Sequence, residues 1–171
     1  MKEPTTPEDV LELHEILRKD PQRYLQIANE WIRENPMSSH AYYDRHQARM
    51  KIDEPRRALD DLHKAIELTP GQAAFEARGD VYRHLGEYER ALEDYRTGEE
   101  FDPAVRAEGY GLLLQADCHA RLGDEAAALG CCARMPGDFW SPGIEGAPAG
   151  DKAAVPTGCA SFAAEARSQR R

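Results

Sequence analysis

Residues 75–103 read FEARGDVYRHLGEYERALEDYRTGEEFDP, and this stretch decides the fold of the chain. Gly79 and Ala91 are small residues on two helix-length segments, and small side chains let two helices approach each other closely. Aromatic rings at Phe75, Tyr82 and Tyr95 are spaced to fill the seam around them. The stretch therefore predicts two helices that pack along each other.

The turn between the two helices is also encoded. Gly86 follows the first helical segment, at a position where a left-handed backbone ends a helix without steric cost. Pro103 limits the second segment, because proline cannot continue a helix. The predicted unit is thus helix, turn, helix.

The same spacing occurs on both sides of this stretch. Tyr42 and Pro70 precede Phe75 and Pro103 by 33 residues each. A third copy starts at Leu112, 37 residues after Phe75. The matching positions of the first and third copies are Tyr42, Arg45, Arg49, Ala58, Leu62 and Pro70, then Leu112, Gln115, Ala116, His119, Gly123, Ala128 and Cys132. A repeated unit of this length predicts stacked supersecondary units rather than a single closed core.

The pattern resembles the tetratricopeptide repeat (TPR), a helix–turn–helix unit of about 34 residues with this aromatic, small-residue and proline signature. The strongest copy matches at Gly79, Tyr82, Gly86, Tyr88, Ala91, Tyr95 and Pro103. The resemblance implies an all-α, right-handed superhelix of antiparallel helix pairs, with repeats at 39–71, 72–103 and 104–135. The copies depart from the family pattern at Arg45, Arg49, Pro55, Arg78 and Gly98, and Pro55 is interpreted as the first residue of its helix.

The two flanks differ from the repeats. Residues 1–38 predict a degenerate helical pair that caps the array, with Thr6-Pro7 and Asp20-Pro21 as helix starts. Residues 136–171 form a tail rich in proline and glycine, in which a short helix is expected at 160–167. Phe139 and Trp140 in this tail are expected to cover the apolar face of the last helix. The alternative is that they anchor the tail in the groove.

Composition excludes several classes of function. The chain has 171 residues with 22 Lys and Arg against 31 Asp and Glu, a net charge of −9. This acidity argues against binding to nucleic acid or to an anionic membrane surface. The N-terminal sequence shows no secretory pattern and no apolar run spans a bilayer. A cytoplasmic location is therefore expected.

Catalytic and metal-binding patterns are not found in the sequence. The four cysteines (118, 131, 132 and 159) lack Cys-x-x-Cys spacing, and we interpret them as small hydrophobic residues. The Asp60-Asp61-x-His63 cluster is interpreted as a charged outer helix face, in which Asp60 pairs with Lys64. We therefore predict no enzyme activity, no metal and no cofactor.

The resemblance does imply a concave groove lined by the first helix of each pair. The residues carried over to this groove are Tyr43, Asp44, Gln47, Met50, Glu76, Asp80, Arg83, Leu113, Asp117 and Arg121. The row Gln47–Asp80–Asp117 would favour a partner with basic groups. Some family members clamp carboxylates of a partner's C-terminus with Lys and Asn, but the corresponding wall here carries Tyr43, Gln47, Ala77, Tyr110 and Leu114.

The leading hypothesis is a non-catalytic module that binds a peptide or protein partner in this groove. The alternative hypothesis is a structural or assembly subunit that acts through self-association, so a homo-oligomer is also considered. An enzyme or a small-ligand binder is a weaker hypothesis still.

Overall fold

The structure, a computed structural model, describes residues 6–101, 109–141 and 147–169. Helices dominate these residues, which confirms the predicted all-α class. Their bounds are α1 Pro7–Lys19, α2 Pro21–Glu34, α3 Ser39–Lys51, α4 Pro55–Leu68, α5 Gln72–His84, α6 Tyr88–Phe101, α7 Gly109–Arg121, α8 Glu125–Arg134 and α9 Val155–Gln169. Two short antiparallel strands, β1 Trp140–Ser141 and β2 Gly150–Asp151, pair between α8 and α9.

Local signals in the sequence set the helix ends. The Thr6 side chain accepts a hydrogen bond from the backbone of Asp9, and the Asp9 side chain accepts one from the backbone of Thr6. Pro55 is the first residue of α4, as predicted. Gly86 has a φ of 77°, which confirms the left-handed turn between α5 and α6.

Some sequence predictions fall outside the described residues. These are Pro103, with the repeat boundary at 103/104, and the parts of the predicted tail at 142–146 and 170–171. Among the residues that are described, no helix combines the length and the apolar character needed to cross a membrane.

The chain divides into two compact units, Met1–Leu85 and Gly86–Arg171. In the first unit α1 to α4 pack in sequence order, so that consecutive helices pair as the repeat spacing predicts. Its core joins aliphatic and aromatic side chains to alanines with no exposed surface, such as Ala28 and Ala48. Trp31 is 1% exposed and meets Tyr24 edge-on, with ring centroids 6.3 Å apart.

The first unit also contains a buried charge cluster that joins α2, α3 and α4. The Asp61 carboxylate, 1% exposed, accepts a hydrogen bond from the Arg45 guanidinium at 2.6 Å and forms an ion pair with Arg49 at 2.9 Å. Arg45 donates in addition to the Asn29 side chain at 2.9 Å, and Arg49 donates to the backbone carbonyl of Arg57 at 2.7 Å. Loss of water raises the pKa of Asp61, and the two guanidiniums oppose that rise. Most of the charged groups in this cluster are thus paired with one another.

This cluster corrects the interpretation of Asp60-Asp61-x-His63 as an outer face. Only Asp60 and His63 are exposed there, whereas Asp61 points into the unit. Lys64 pairs with Glu67 at 3.0 Å. The cluster also explains two departures from the repeat pattern, because Arg45 and Arg49 replace apolar residues in order to meet Asp61.

Removal of the Asp61 charge is expected to destabilise the first unit strongly. In Asp61→Asn, two partly buried guanidiniums lose their counter-charge, and breaking such a pair costs about 3–5 kcal/mol. Urea unfolding followed by circular dichroism measures the loss. The matched control is Asp60→Asn on the exposed side of the same helix, expected within about 0.5 kcal/mol of wild type. Equal stability of the two variants would contradict this account.

The second unit has its core among α7, α8 and α9. Leu112 and Leu113 of α7, Cys132 of α8, and Val155 and Cys159 of α9 are among its buried members. The C-terminal helix is longer than expected, because α9 spans Val155–Gln169 rather than 160–167. It therefore begins five residues earlier in the proline- and glycine-containing tail than expected. Pro156 is tolerated there because the first turn of a helix does not need its N–H.

The two aromatic residues of the tail have different surroundings. Phe139 packs against the core of the second unit, as expected for a cover of an apolar face. Trp140 is 65% exposed and does not share that role. The Phe139 ring lies so close to Gly109 in α7 that a Cβ at this glycine would overlap it. The close approach explains why a residue without a side chain stands there.

Two glycines of α7 are therefore expected to respond in opposite directions to substitution by alanine. Gly109→Ala must displace the Phe139 ring, at a cost of about 1–3 kcal/mol. Gly111→Ala meets no atom within 4 Å and should stabilise the helix by about 0.5–1 kcal/mol. Thermal and urea unfolding of both variants measure these changes. Destabilisation of equal size in the two variants would show that Phe139 does not pack as described.

Candidate functional site

An open cavity lies where α3 and α5 of the first unit approach each other. It has a volume of about 320 Å³. Helices α3 and α5 supply most of the wall, and Ala65 of α4 together with Thr69 and Gly71 of the segment between α4 and α5 supplies the remainder. The lining residues are Ser39, His40, Tyr43, Ala65, Thr69, Gly71, Gln72, Ala73 and Ala74. The cavity and the neighbouring carboxylates Glu76 and Asp80 are called the α3–α5 surface below.

Tyr43 is the central side chain of the α3–α5 surface. Partial burial raises the pKa of its hydroxyl, and the nearby carboxylates of Asp80, Asp44 and Glu76 raise it further. The phenol therefore stays neutral, with a ring for apolar contact and a hydroxyl for hydrogen bonding. The same effect shows that negative potential gathers around this residue.

The acidic side of the cavity is partly ordered. Gln72, at the start of α5, donates from its side-chain amide to the Glu76 carboxylate at 2.9 Å. One turn further along α5, Asp80 is half-buried. Because Glu76 and Asp80 are four residues apart on one helix, their side chains share a face. A ligand over α5 would meet both charges.

His46 holds Tyr43 from beneath. It is 7% exposed, and its ring meets the Tyr43 ring edge-on at a centroid distance of 4.6 Å. Its Nδ1–H donates to the backbone carbonyl of Tyr43. Burial lowers the pKa of His46 to about 4, although the bond to Tyr43 acts in the opposite direction. The imidazole is therefore neutral at physiological pH.

The neutral state of His46 predicts a pH-dependent stability. Below pH 6.5 the unfolded chain binds a proton at this histidine, and the folded chain does so only near pH 4. Stability from this group is thus complete above pH 6.5 and falls by up to about 3 kcal/mol as the pH drops toward 4. Urea unfolding at several pH values measures the slope.

The variant His46→Asn should lose this part of the slope whatever its absolute stability, because asparagine does not titrate. The matched control is His84→Asn at an exposed position of α5, which should keep the wild-type slope. A slope that is the same in His46→Asn and in wild type would rule out His46 as its source.

The structure sorts the predicted groove residues of the first unit by exposure. Asp44 and Arg83 are buried, 7% and 6% exposed. Asp44 accepts a hydrogen bond from the Tyr24 hydroxyl of α2. Burial raises the pKa of Tyr24, and the Asp44 carboxylate raises it further. These two residues therefore have little exposed surface. The half-buried members are Tyr43, Gln47, Met50, Glu76 and Asp80.

The predicted residues of the third copy lie in the second unit. Leu113 and Asp117 are each 1% exposed, so a partner laid on α7 would not touch them. Arg121 pairs with Asp117 at 3.2 Å, and its guanidinium lies 4.1 Å from the ring centroid of Phe162 in α9. Helix α9 thus covers this face of α7. The row Gln47–Asp80–Asp117 retains Gln47 and Asp80 as accessible members.

Sequence reasoning missed several residues of the α3–α5 surface. His40 lines the cavity and stacks near Tyr43 at a centroid distance of 6.5 Å, and Gln72 orients Glu76. Both stand in the first turn of their helices. The repeat signature carries no information at these positions, so only the approach of α3 and α5 could identify them.

The arginines at one position of the first and second repeats each lie over the aromatic ring three residues before them. Arg45 lies over the Tyr42 ring at 5.4 Å, and Arg78 lies over the Phe75 ring at 5.4 Å. These pairs are 33 residues apart in the sequence. A cation on an aromatic face therefore replaces the apolar contact of the usual repeat.

Across the described ranges, no three His, Cys, Asp or Glu side chains converge so as to hold a metal ion.

Comparison with curated proteins finds relatives over less than half of the chain. The Hsp70-Hsp90 organizing protein of Triticum aestivum is 36% identical over 76 residues, which are 44% of this chain and 13% of that protein. Hsp70-Hsp90 organizing protein 2 of Arabidopsis thaliana is 35% identical over 75 residues, again 13% of its length. The chain thus spans a small part of these relatives. No family model matches the sequence.

Solved structures resemble the fold over a longer stretch. The structure of MamA superposes with a TM-score of 0.64 at 23% identity, over 74% of this chain and 69% of MamA. YrrB, described as a TPR protein with an unusual peptide-binding site, gives a TM-score of 0.62 at 18% identity, over 74% of this chain and 63% of YrrB. The fold is therefore that of helical-repeat proteins built from antiparallel helix pairs. Together with the three spaced copies of the motif, these likenesses show that the chain has the fold of tetratricopeptide-repeat proteins.

Proposed function

We propose that the chain is a non-catalytic module that binds a peptide or protein partner, and that the α3–α5 surface holds a Lys or Arg side chain of that partner. The observation that carries the proposal is an open cavity flanked by Tyr43, Glu76 and Asp80. A cavity with a few polar groups at its edge is the usual form of a recognition site.

The chemistry of the cavity suits a long basic side chain. Ala65, Ala73 and Ala74 provide apolar wall for an aliphatic stem, while the carboxylates beside Tyr43 attract the charged head. Lys and Arg side chains divide in this way between an apolar stem and a charged end. The net charge of −9 over the whole chain adds long-range attraction for a basic partner.

The relatives agree with binding as the general role. YrrB is described as having a peptide-binding site, and its helix pairs superpose on those of this chain. A cytoplasmic location is supported by the four buried cysteines, which are thiols rather than disulfides.

The proposal is tested with a random peptide library selected on the full chain, followed by fluorescence anisotropy of the selected peptides. Peptides with Lys or Arg are expected to be enriched. The variant Glu76→Gln/Asp80→Asn should weaken their binding by at least about tenfold, since close charge pairs contribute about 1.5 kcal/mol or more. Binding should also weaken as the salt concentration rises.

The matched control removes two carboxylates elsewhere in the first unit. Asp60→Asn/Glu34→Gln changes the net charge by the same amount at exposed positions of α4 and α2. Its affinity should stay within about twofold of wild type, because exposed distant charges are screened. An equal loss of affinity in both double variants would mean that only the overall charge matters. No loss of affinity in either would exclude the α3–α5 surface as the binding site.

A further inference from the structure

Two thiols of the second unit face each other across a helix interface. Cys132 of α8 and Cys159 of α9 have their sulfur atoms 3.8 Å apart, in hydrogen-bonding contact. They are 2% and 0% exposed. The protein-binding role makes no use of them, and neither does a metal, because no third ligand joins them among the described residues.

We propose that Cys132 and Cys159 are a peroxide-oxidisable dithiol whose disulfide fastens α9 to α8. A disulfide needs its sulfurs about 2.05 Å apart, and these two sulfurs already lie in contact at 3.8 Å. The two residues belong to different helices and lie 27 positions apart. The bond would therefore tie two elements rather than neighbours on one helix.

The oxidation balances with hydrogen peroxide as the oxidant. The Cys132 thiolate attacks one peroxide oxygen, the O–O bond breaks, and the leaving hydroxide takes a proton to become water. The resulting sulfenic acid is attacked by the Cys159 sulfur. An S–S bond forms, the S–O bond breaks, and the second water leaves with the Cys159 proton. Two thiols and one peroxide thus give one disulfide and two waters.

The order of attack follows from the surroundings of the thiols. The hydrogen bond from Cys159 lowers the pKa of the Cys132 thiol, and the same contact raises the pKa of Cys159. Cys132 is therefore the attacking sulfur and Cys159 the resolving one. Burial raises the pKa of the adjacent Cys131, so Cys131 is a poor competitor.

The bond would change how firmly α9 is held. In the reduced protein its polar contacts include those of Arg167 to the Gly123 carbonyl at 3.1 Å and to the Glu125 carboxylate at 2.8 Å. Both side chains of the ion pair are 39–48% exposed, so this pair adds little. Local opening of α9 would admit peroxide to the dithiol. Oxidation would then close that opening and keep Phe162 over Arg121.

The test treats the full folded chain with hydrogen peroxide and maps tryptic peptides by mass spectrometry. The variant Cys131→Ala removes ambiguity, because Cys131 and Cys132 share the fragment 122–134. The expected product joins fragment 122–134 to fragment 153–167, two hydrogens lighter than the thiols, and dithiothreitol reverses it. Amide exchange in α9 should slow by at least about tenfold after oxidation.

Matched variants separate this pair from general oxidation. Cys118→Ala removes another buried thiol of the second unit and should leave the cross-link unchanged, whereas Cys159→Ala should abolish it. The chain unfolded in urea should give mixed pairings, since nothing then holds the two sulfurs together. The proposal is overturned if the folded chain yields only sulfinic or sulfonic acids, or if folded and unfolded chains give the same pairings.

Discussion

The buried carboxylate of Asp61 is the interaction on which the first unit depends most. Its two arginine partners come from α3, and one of them reaches back to Asn29 of α2. Apolar packing alone does not select one rotation of a helix about its axis. A carboxylate that must meet two guanidiniums away from water does select one, because any other rotation leaves a buried charge unpaired.

That rotation of α3 also determines the candidate site. With Arg45 and Arg49 directed toward α4, the opposite part of α3 carries His40 and Tyr43 toward α5. His46 lies beneath Tyr43 as a neutral ring, so the tyrosine is supported without added charge. The acidity of the surface then comes from α5, through Glu76 and Asp80. The buried charge cluster and the candidate site thus lie on two sides of one helix.

The second unit uses a different device. Helix α9 covers α7 and α8, and this explains why Asp117 of the third copy is not open to solvent: it is buried with Arg121 at its side and Phe162 near that arginine. A helix that covers an apolar face is what the end of a repeat array needs. A disulfide between Cys132 of α8 and Cys159 of α9, as proposed above, would fix α9 in this position.

The sequence by itself determined the helix pairs, their turns and their caps, because these follow from local rules: Gly86 in a left-handed turn, Pro55 at a helix start, Thr6 as a cap. It also indicated Tyr43, Glu76 and Asp80 through the repeat register. The burial of Asp61, Asp44 and Asp117 and the contact of Cys132 with Cys159 became known from the tertiary structure alone. The reason is physical. A helix register shows which residues share a face, but the charge or cover on that face comes from elements distant in the chain.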